Sequence, residues 1–408
     1  MKIIYSAKKS LDISYFSIES GESPNIFLGS LLEVADRGVE VNLILDGMFH
    51  GLRGNSRAVI YTLGSHPNIN LKFYEPINLL KPWTLNNRMH DKYIIADNKI
   101  AIIGGRNIGD KYFAPEWYSG RVTNDRDIIV INTEPKNPSS VLNQLSDYFH
   151  FIWNHKYSIS KGEKISKFQY NLGLRKGNYL RESTKIARQE NKNLAEQEID
   201  LMSLSLPTNK ISFIHNPIER FCKEPWVWYE ITQLMKSAKD SIFAQSPYVV
   251  PNSQMIRGFL SKDDFEHIDI SILTNSLAST PNFPAYAGYL NHRKRIIDIG
   301  VKIYEYQSLD SIHAKAFTID DNILIVGSYN IDPRSTYLST ESMIVIHGNN
   351  AVSKFKEGVS HYMDESLLVS EDYDYVDNGE VREGNVSVVK RSIIILLSYL
   401  VKIFEHLL

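Results

Sequence analysis

The chain has 408 residues and a single cysteine, Cys222. An intramolecular disulfide is therefore excluded, and the composition fits a reducing compartment. No Cys/His cluster has the spacing of a zinc site, so neither a structural metal nor a metal in the site is expected. The net charge is only −2 at pH 7, so nothing draws the molecule as a whole toward nucleic acid. There is no run of about 20 uninterrupted apolar residues and hence no spanning helix to expect. The opening Met1-Lys2-Ile3-Ile4-Tyr5 is too short to be the apolar core of a secretory signal. Apolar residues make up 43% of the chain, which is ordinary for a globular protein. The length suits two domains or one duplicated domain.

What the chain does have is one pattern, twice. Around His90 it reads His90-Asp91-Lys92, then Asp97, then Gly104-Gly105-Arg106-Asn107. Around His313 it reads His313-Ala314-Lys315, then Asp320, then Gly327-Ser328-Tyr329-Asn330. In both copies Lys follows His by two positions, Asp by seven, Gly by fourteen and Asn by seventeen. A lone His-x-Lys arises by chance; two copies with four matched partners each do not.

These residue types suit a phosphodiester. Its negative charge repels anionic nucleophiles, whereas a neutral imidazole nitrogen escapes that repulsion and can form a covalent phosphohistidine. A second, protonated histidine can deliver a proton to the leaving oxygen. Lysines neutralise the non-bridging oxygens as point charges, and asparagine amides donate further hydrogen bonds. Fixed donors of this kind act where charge develops in the transition state. On a strand, His and Lys at i and i+2 share a face. Gly104 and Gly327 suit a turn that brings backbone close to the anion.

The two halves match outside the motifs as well. Ser6-Ala7-Lys8-Lys9-Ser10-Leu11 parallels Ser237-Ala238-Lys239-Asp240-Ser241-Ile242, each opening an apolar strand. Leu71-Lys72-Phe73-Tyr74-Glu75 parallels Val301-Lys302-Ile303-Tyr304-Glu305. Strands alternating with helices, such as 27–37, argue an α/β fold with mixed central sheets. A helical stretch at about 226–236 precedes the second half, whereas only Met1–Tyr5 precede the first.

Both copies resemble the HKD motif of the phospholipase D superfamily. The resemblance implies a duplicated phospholipase D-like fold: two α/β halves with mixed sheets and pseudo-twofold symmetry, and an active site at their interface. On that basis residues 1–150 form the first half (motif 85–112) and 151–204 a charged helical linker. Residues 205–350 form the second half (motif 308–335), and 351–408 an acidic linker and apolar tail. The motif residues are His90, Lys92, Asp97, His313, Lys315 and Asp320. The two aspartates support strand-end turns, and Asn107 and Asn330 bind phosphate. In the superfamily a carboxylate downstream of each motif holds the catalytic imidazole by its other nitrogen, an arrangement that fixes tautomer and orientation. Glu341, 28 residues after His313 and just before Met343-Ile344-Val345-Ile346, fits that role. Asp127, 37 residues after His90 and just before Ile128-Ile129-Val130-Ile131, is the other candidate, with Asp125 competing.

Flanking segments narrow the likeness to bacterial cardiolipin synthases, closest to the C type. They include Gly104-Gly105-Arg106-Asn107-Ile108-Gly109-Asp110, Ser246-Pro247-Tyr248-Val249-Val250-Pro251 and Asn330-Ile331-Asp332-Pro333-Arg334-Ser335. The resemblance implies phosphatidyl transfer between glycerophospholipids without a cofactor, His90 attacking and His313 serving as acid and base. Phosphatidylglycerol is the expected substrate, with phosphatidylethanolamine as a further donor, and cardiolipin the product. The alternatives are a hydrolase with water as acceptor, a superfamily nuclease, and a non-enzymatic lipid-binding protein. No nucleic-acid partner is expected. The implied location is cytoplasmic, peripheral at a bacterial membrane.

Charge is uneven along the chain. Between 156 and 192 there are ten Lys/Arg against three Glu; between 364 and 383 there are eight acids against Arg382. The basic run reads as a solvated helix and linker or as a contact for anionic headgroups. The apolar tail, with Ile393-Ile394-Ile395-Leu396-Leu397 after Lys390-Arg391, reads as an interfacial anchor or as a helix that closes the core.

Overall fold

The structure is a computed structural model describing residues 1–162, 164–192, 199–257 and 267–408. The chain divides into two compact units. One comprises Met1–Gly120 and Asp127–Ser205; the other comprises Arg121–Arg126 and Leu206–Leu408.

The strands of the first stretch are β1 (Ser10–Tyr15), β2 (Glu40–Asp46), β3 (Ile69–Tyr74), β4 (Arg88–Met89), β5 (Lys92–Ala96), β6 (Ile100–Gly104), β7 (Thr123–Asn124), β8 (Asp127–Ile131) and β9 (Ser158–Ser160). The first unit is built on a seven-stranded sheet in the order β8-β6-β5-β1-β2-β3-β9. Its β1, β2 and β3 run parallel, while β5, β6 and β8 are joined antiparallel. The helix Glu22–Asp36, longer than the sequence pattern suggests, crosses from β1 to β2 and buries Leu28, Leu31, Leu32 and Val34 against the sheet. It stops at Gly38, whose φ of 90° lies in the left-handed region, where the lack of a Cβ is needed. A short helix, Lys2–Ser6, precedes β1 and buries Ile3 and Ile4.

The stretch 151–204, expected as a linker, contains structure that belongs to this unit. Its helix Lys167–Glu190 packs on Glu22–Asp36 and Ala58–Gly64 through a seam of Gly173, Gly177, Leu180, Thr184 and Ala187. The seam is of small residues because the backbones nearly touch. A Cβ on Gly29 would lie 2.4 Å from the Leu180 carbonyl oxygen. Arg181 and Arg188 leave the basic face to pair with Asp36 and Glu33.

The second unit holds β10 (Lys210–His215), β11 (Ser241–Gln245), β12 (Asp269–Asn275), β13 (Lys302–Tyr306), β14 (Ser311–Ile312), β15 (Ala316–Ile319), β16 (Ile323–Gly327), β17 (Ser339–Thr340), β18 (Ser342–His347) and β19 (Ser366–Leu368). Eight of them form a sheet in the order β10-β18-β16-β15-β11-β12-β13-β19. Its parallel trio β11-β12-β13 and antiparallel β15, β16 and β18 repeat the plan of the first sheet. The duplicated α/β architecture with mixed sheets is thus present. The short strands β7 and β14 pair in parallel, so residues 121–126 join the second unit.

The motif aspartates act as clasps. Asp97 turns the chain between β5 and β6 with φ 52°, and its carboxylate accepts N–H bonds from Lys8, Lys9 and Ser10 at 2.8–2.9 Å. Asp320, at φ 49°, does the same for Lys239, Asp240 and Ser241. Burial alone would raise both carboxyls, but the three N–H donors outweigh it and hold both below the ordinary carboxylate range. A carboxyl whose folded pKa is depressed stabilises the fold above its unfolded pKa of about 3.9. That stabilisation is lost as pH falls through the folded value. Asp320→Ala is therefore expected to cost about 1–2 kcal/mol at neutral pH, from N–H groups left without their acceptor. The gap to the parent should start to narrow as pH falls below about 4 and close only beneath the folded value. Urea denaturation followed by circular dichroism at both pH values checks this; equal midpoints at neutral pH would contradict it.

The C-terminal stretch is more ordered than an acidic linker. Tyr373 donates to Asp298 at 2.6 Å and Tyr375 to the buried Glu305 at 2.5 Å, which fastens the acidic segment to the unit. The helix Val388–Phe404 packs on Phe283–Asp298, burying Ile394 and Val401, and Asn291 donates to the Ser398 carbonyl at 2.9 Å. Val388, Leu396, Tyr399 and Ile403 on the same helix remain exposed. The tail is thus a closing helix with an apolar outer face. Among the described residues no helix is long and apolar enough to cross a membrane.

Candidate active site

In the first unit the ends of β1, β2, β3 and β6 and the start of β5 lie along one sheet edge, since Tyr15 is level with Leu45 and Lys92. His90 sits at that edge, in the gap between β4 and β5 rather than on a strand, so the shared strand face expected of His-x-Lys does not apply. Lys92 opens β5 with its side chain buried, and its ammonium turns back to donate to the His90 carbonyl. The half-buried His90 ring lies edge-on to Phe16, centroids 4.9 Å apart. The ammonium of Lys92 stands 5.2 Å from the centroid of the same phenyl ring. Arg88, two residues before His90, is fully buried and ties the approach together. It reaches Asp46 at 3.3 Å, the Glu75 carbonyl at 2.8 Å and the Thr84 carbonyl at 3.1 Å.

The second unit repeats the arrangement. His313 follows β14, and Lys315 is buried with its ammonium on the His313 carbonyl and 3.1 Å from Nε2. Tyr248, from the loop after β11, lies edge-on to the ring at 6.3 Å, as Phe16 does after β1. Neither aromatic stood out in the sequence; each became legible only as the residue its loop carries over the histidine.

The acids fall differently from expectation. Asp125, the competing candidate, is a carboxylate that reaches a motif histidine. Its wholly buried side chain reaches His313 Nδ1 at 2.6 Å. The cause is register. Because Ile312 pairs with Asn124 in the parallel β7–β14 ladder, His313 and Asp125 are the next residues along. The His313 N–H also donates to the Asn124 carbonyl at 2.6 Å. Lys315 approaches the same Nδ1 at 2.8 Å, but one nitrogen cannot serve both. With the carboxylate as partner Nδ1 carries a proton, and Nε2 is left for chemistry. Asp127 starts β8 and instead accepts from Arg106 Nε at 2.8 Å. Glu341 is fully buried just before β18 and accepts from the Ser328 hydroxyl at 2.5 Å.

Asn107 and Asn330 are buried at the expected offsets, each with one side held within its unit. Asn107 Nδ2 lies 3.1 Å from the Tyr112 hydroxyl and Asn330 Nδ2 lies 3.4 Å from the Ser335 hydroxyl, while neither Oδ1 has a hydrogen-bond partner among the described residues. A half-turn of each amide keeps its shape, lets the hydroxyls donate to Oδ1, and frees Nδ2 to donate to an anion. Gly327 does not form the expected turn. It ends β16 against β18, where a Cβ would lie 2.1 Å from the Ser342 carbonyl oxygen.

A family model described as cardiolipin synthase, phospholipase D-like domain matches residues 1–153 and 231–363. Cardiolipin synthase C of Escherichia coli K12 is 28% identical over 391 residues, covering 83% of this chain and 76% of its own. An uncharacterised protein of Helicobacter pylori 26695 is 27% identical over 398 residues, with 89% and 76% covered. Among solved structures, the phosphatidylserine synthase of Haemophilus influenzae matches in fold with a TM-score of 0.67 at 14% identity, over all of this chain and 92% of that one. With two intact motifs on duplicated sheets and a family match spanning both halves, the chain belongs to the cardiolipin synthase, phospholipase D-like domain family.

Proposed function

We propose that the protein is a phosphatidyltransferase acting on glycerophospholipids through a phosphohistidine, with cardiolipin as its product. The observation that supports the reading is the Asp125–His313 contact of 2.6 Å, a motif imidazole held by a buried carboxylate. A buried carboxylate on Nδ1 stabilises imidazolium and fixes Nε2 as the atom that gives and takes the proton. On this reading His313 serves as the acid and base, and His90, in the first motif, is assigned as the nucleophile by the habit of the superfamily. In the first step a His90 ring nitrogen bonds to phosphorus and the bond to the headgroup oxygen breaks. That oxygen takes the proton from His313. In the second step the acceptor hydroxyl gives its proton back to His313 and attacks phosphorus, releasing His90. Lys92, Lys315, Asn107 and Asn330 neutralise and hold the non-bridging oxygens throughout. Glu341 is proposed as the second imidazole-holding carboxylate.

With phosphatidylglycerol as donor and acceptor the products are cardiolipin and glycerol; phosphatidylethanolamine is a further donor. Work at a membrane surface, as a peripheral protein, is supported by the exposed apolar face of Val388–Phe404. The test is purified protein with phosphatidylglycerol vesicles, products separated by mass. Cardiolipin is expected. Phosphatidic acid alone would establish water as the acceptor, and no lipid product would reject the reading.

The charge on the phosphate is met by two lysines, so turnover is expected to persist, within about twofold, after treatment with EDTA. Loss of activity that added divalent cation restores would contradict the mechanism.

A further inference from the structure

In the first unit the loops that leave the His90 edge of the sheet are unusually apolar on the outside. These are residues 47–57 after β2, 75–87 after β3 and 105–120 after β6. They expose Phe49, Leu79, Leu80, Trp83, Phe113 and Trp117, with Leu79 at 84% and Leu80 at 88% of full exposure. Isolated exposed apolar side chains are ordinary, but a group around one functional edge is a contact surface. We propose that this rim, led by the tip 77–83, docks onto a bilayer of anionic phospholipid and sets His90 at headgroup depth. The proposal rests on the phosphatidyl-transfer reading for its purpose, though not for its geometry.

Three observations favour a bilayer as the occupant. The first is the loop itself. Between β3 and β4 the first unit has thirteen residues, 75–87, where the equivalent stretch between β13 and β14 has four, 307–310. The added residues carry the exposed Leu79, Leu80 and Trp83, while the base is clamped. Asn87 donates to Glu75 at 3.0 Å, and buried Arg88 spans the Glu75 and Thr84 carbonyls. A rigid base with an apolar tip suits insertion better than closure. The second is charge. Arg53, Arg57 and Lys81 stand exposed in the same loops against the exposed Glu116, a cationic surround that anionic headgroups attract. Tryptophan beside a basic residue is also the composition of a membrane interface. The third is continuity with the site. Exposed Phe49 packs on Phe16 at 5.1 Å and Phe16 on His90 at 4.9 Å, an apolar path from the surface to the nucleophile.

The test is the full chain carrying L79S, L80S and W83S together, none of which belongs to the proposed catalytic machinery. Partition is measured by cosedimentation with vesicles of phosphatidylglycerol and phosphatidylcholine. Turnover is measured on those vesicles and on short-chain phosphatidylglycerol below its micelle concentration, and light scattering gives the oligomeric state. Vesicle partition and vesicle turnover are both expected to fall at least about tenfold, a floor for three partly inserted apolar side chains lost with the C-terminal helix left intact. Turnover of dissolved lipid should stay within about twofold, and the melting temperature should not move. Unchanged partition would overturn the proposal. So would equal loss on dissolved and vesicle lipid, which would make the tip part of the substrate pocket, or a dimer that the variant dissociates with partition unaltered. If the parent turns over neither lipid but the variant still loses partition, the docking surface stands and the phosphatidyl-transfer reading falls.

Discussion

Replacing His90 by alanine is expected to lower phosphatidyl transfer by about 10⁴-fold or more, because the covalent route then has no nucleophile and no second side chain can supply one. Replacing His313 by alanine is expected to cost about 10²- to 10⁴-fold, the range for a lost general acid, with the larger loss on donors whose leaving alcohol is poor. The two losses should not add. If the histidines serve one reaction in sequence, the double variant is no slower than His90→Ala alone within about threefold. Initial rates on phosphatidylglycerol vesicles decide this, with circular dichroism to confirm the fold. Single losses of only about twofold each would mean that the two motifs work on separate phosphates, and losses that multiply would mean that they do not act as one unit.

Asp125→Asn is expected to have the second largest effect, a drop of about 10²- to 10⁴-fold in turnover with little change in KM. The amide keeps the shape of the carboxylate. It can, however, present its N–H₂ to His313 Nδ1, which favours the wrong tautomer, and it no longer balances the imidazolium. Asp127→Asn provides the comparison. Asp127 is engaged by Arg106, so its loss should change turnover less than about tenfold, the modest scale of a half-exposed pair. Both variants are read on the same vesicles. A larger loss at Asp127 than at Asp125 would reverse the assignment.

Asp125 also marks where the sequence ran out. The duplicated motif and the two mixed sheets are legible, because they repeat at fixed spacing or as apolar strands such as 92–96 and 323–327. The two-residue strands β7 and β14 have no periodicity to read, and their pairing alone decides which acid reaches His313. The helix 167–190 looked like a linker because its polar surface dominates its composition. Apart from Leu180 its packing seam is made of Gly, Thr and Ala, which carry almost no hydropathy signal. Gly327 was read as a turn by its place after a strand, whereas its real constraint is the Ser342 backbone lying against it. The aromatic partners Phe16 and Tyr248 are single loop residues, and only the folded loops bring them onto the histidines.

The central claim, a covalent phosphatidyl group on His90, can be observed directly. Enzyme and phosphatidylglycerol carrying a labelled acyl chain are mixed, quenched in neutral denaturant, where phosphohistidine and the acyl esters both survive, and digested for peptide mass mapping. The account predicts a phosphatidyl mass on the peptide that contains His90, absent from His90→Ala. With His313→Ala it should decay more slowly, because the acceptor then lacks its base. A label on His313 in the parent enzyme, or steady cardiolipin formation with no labelled peptide at any time, would contradict it.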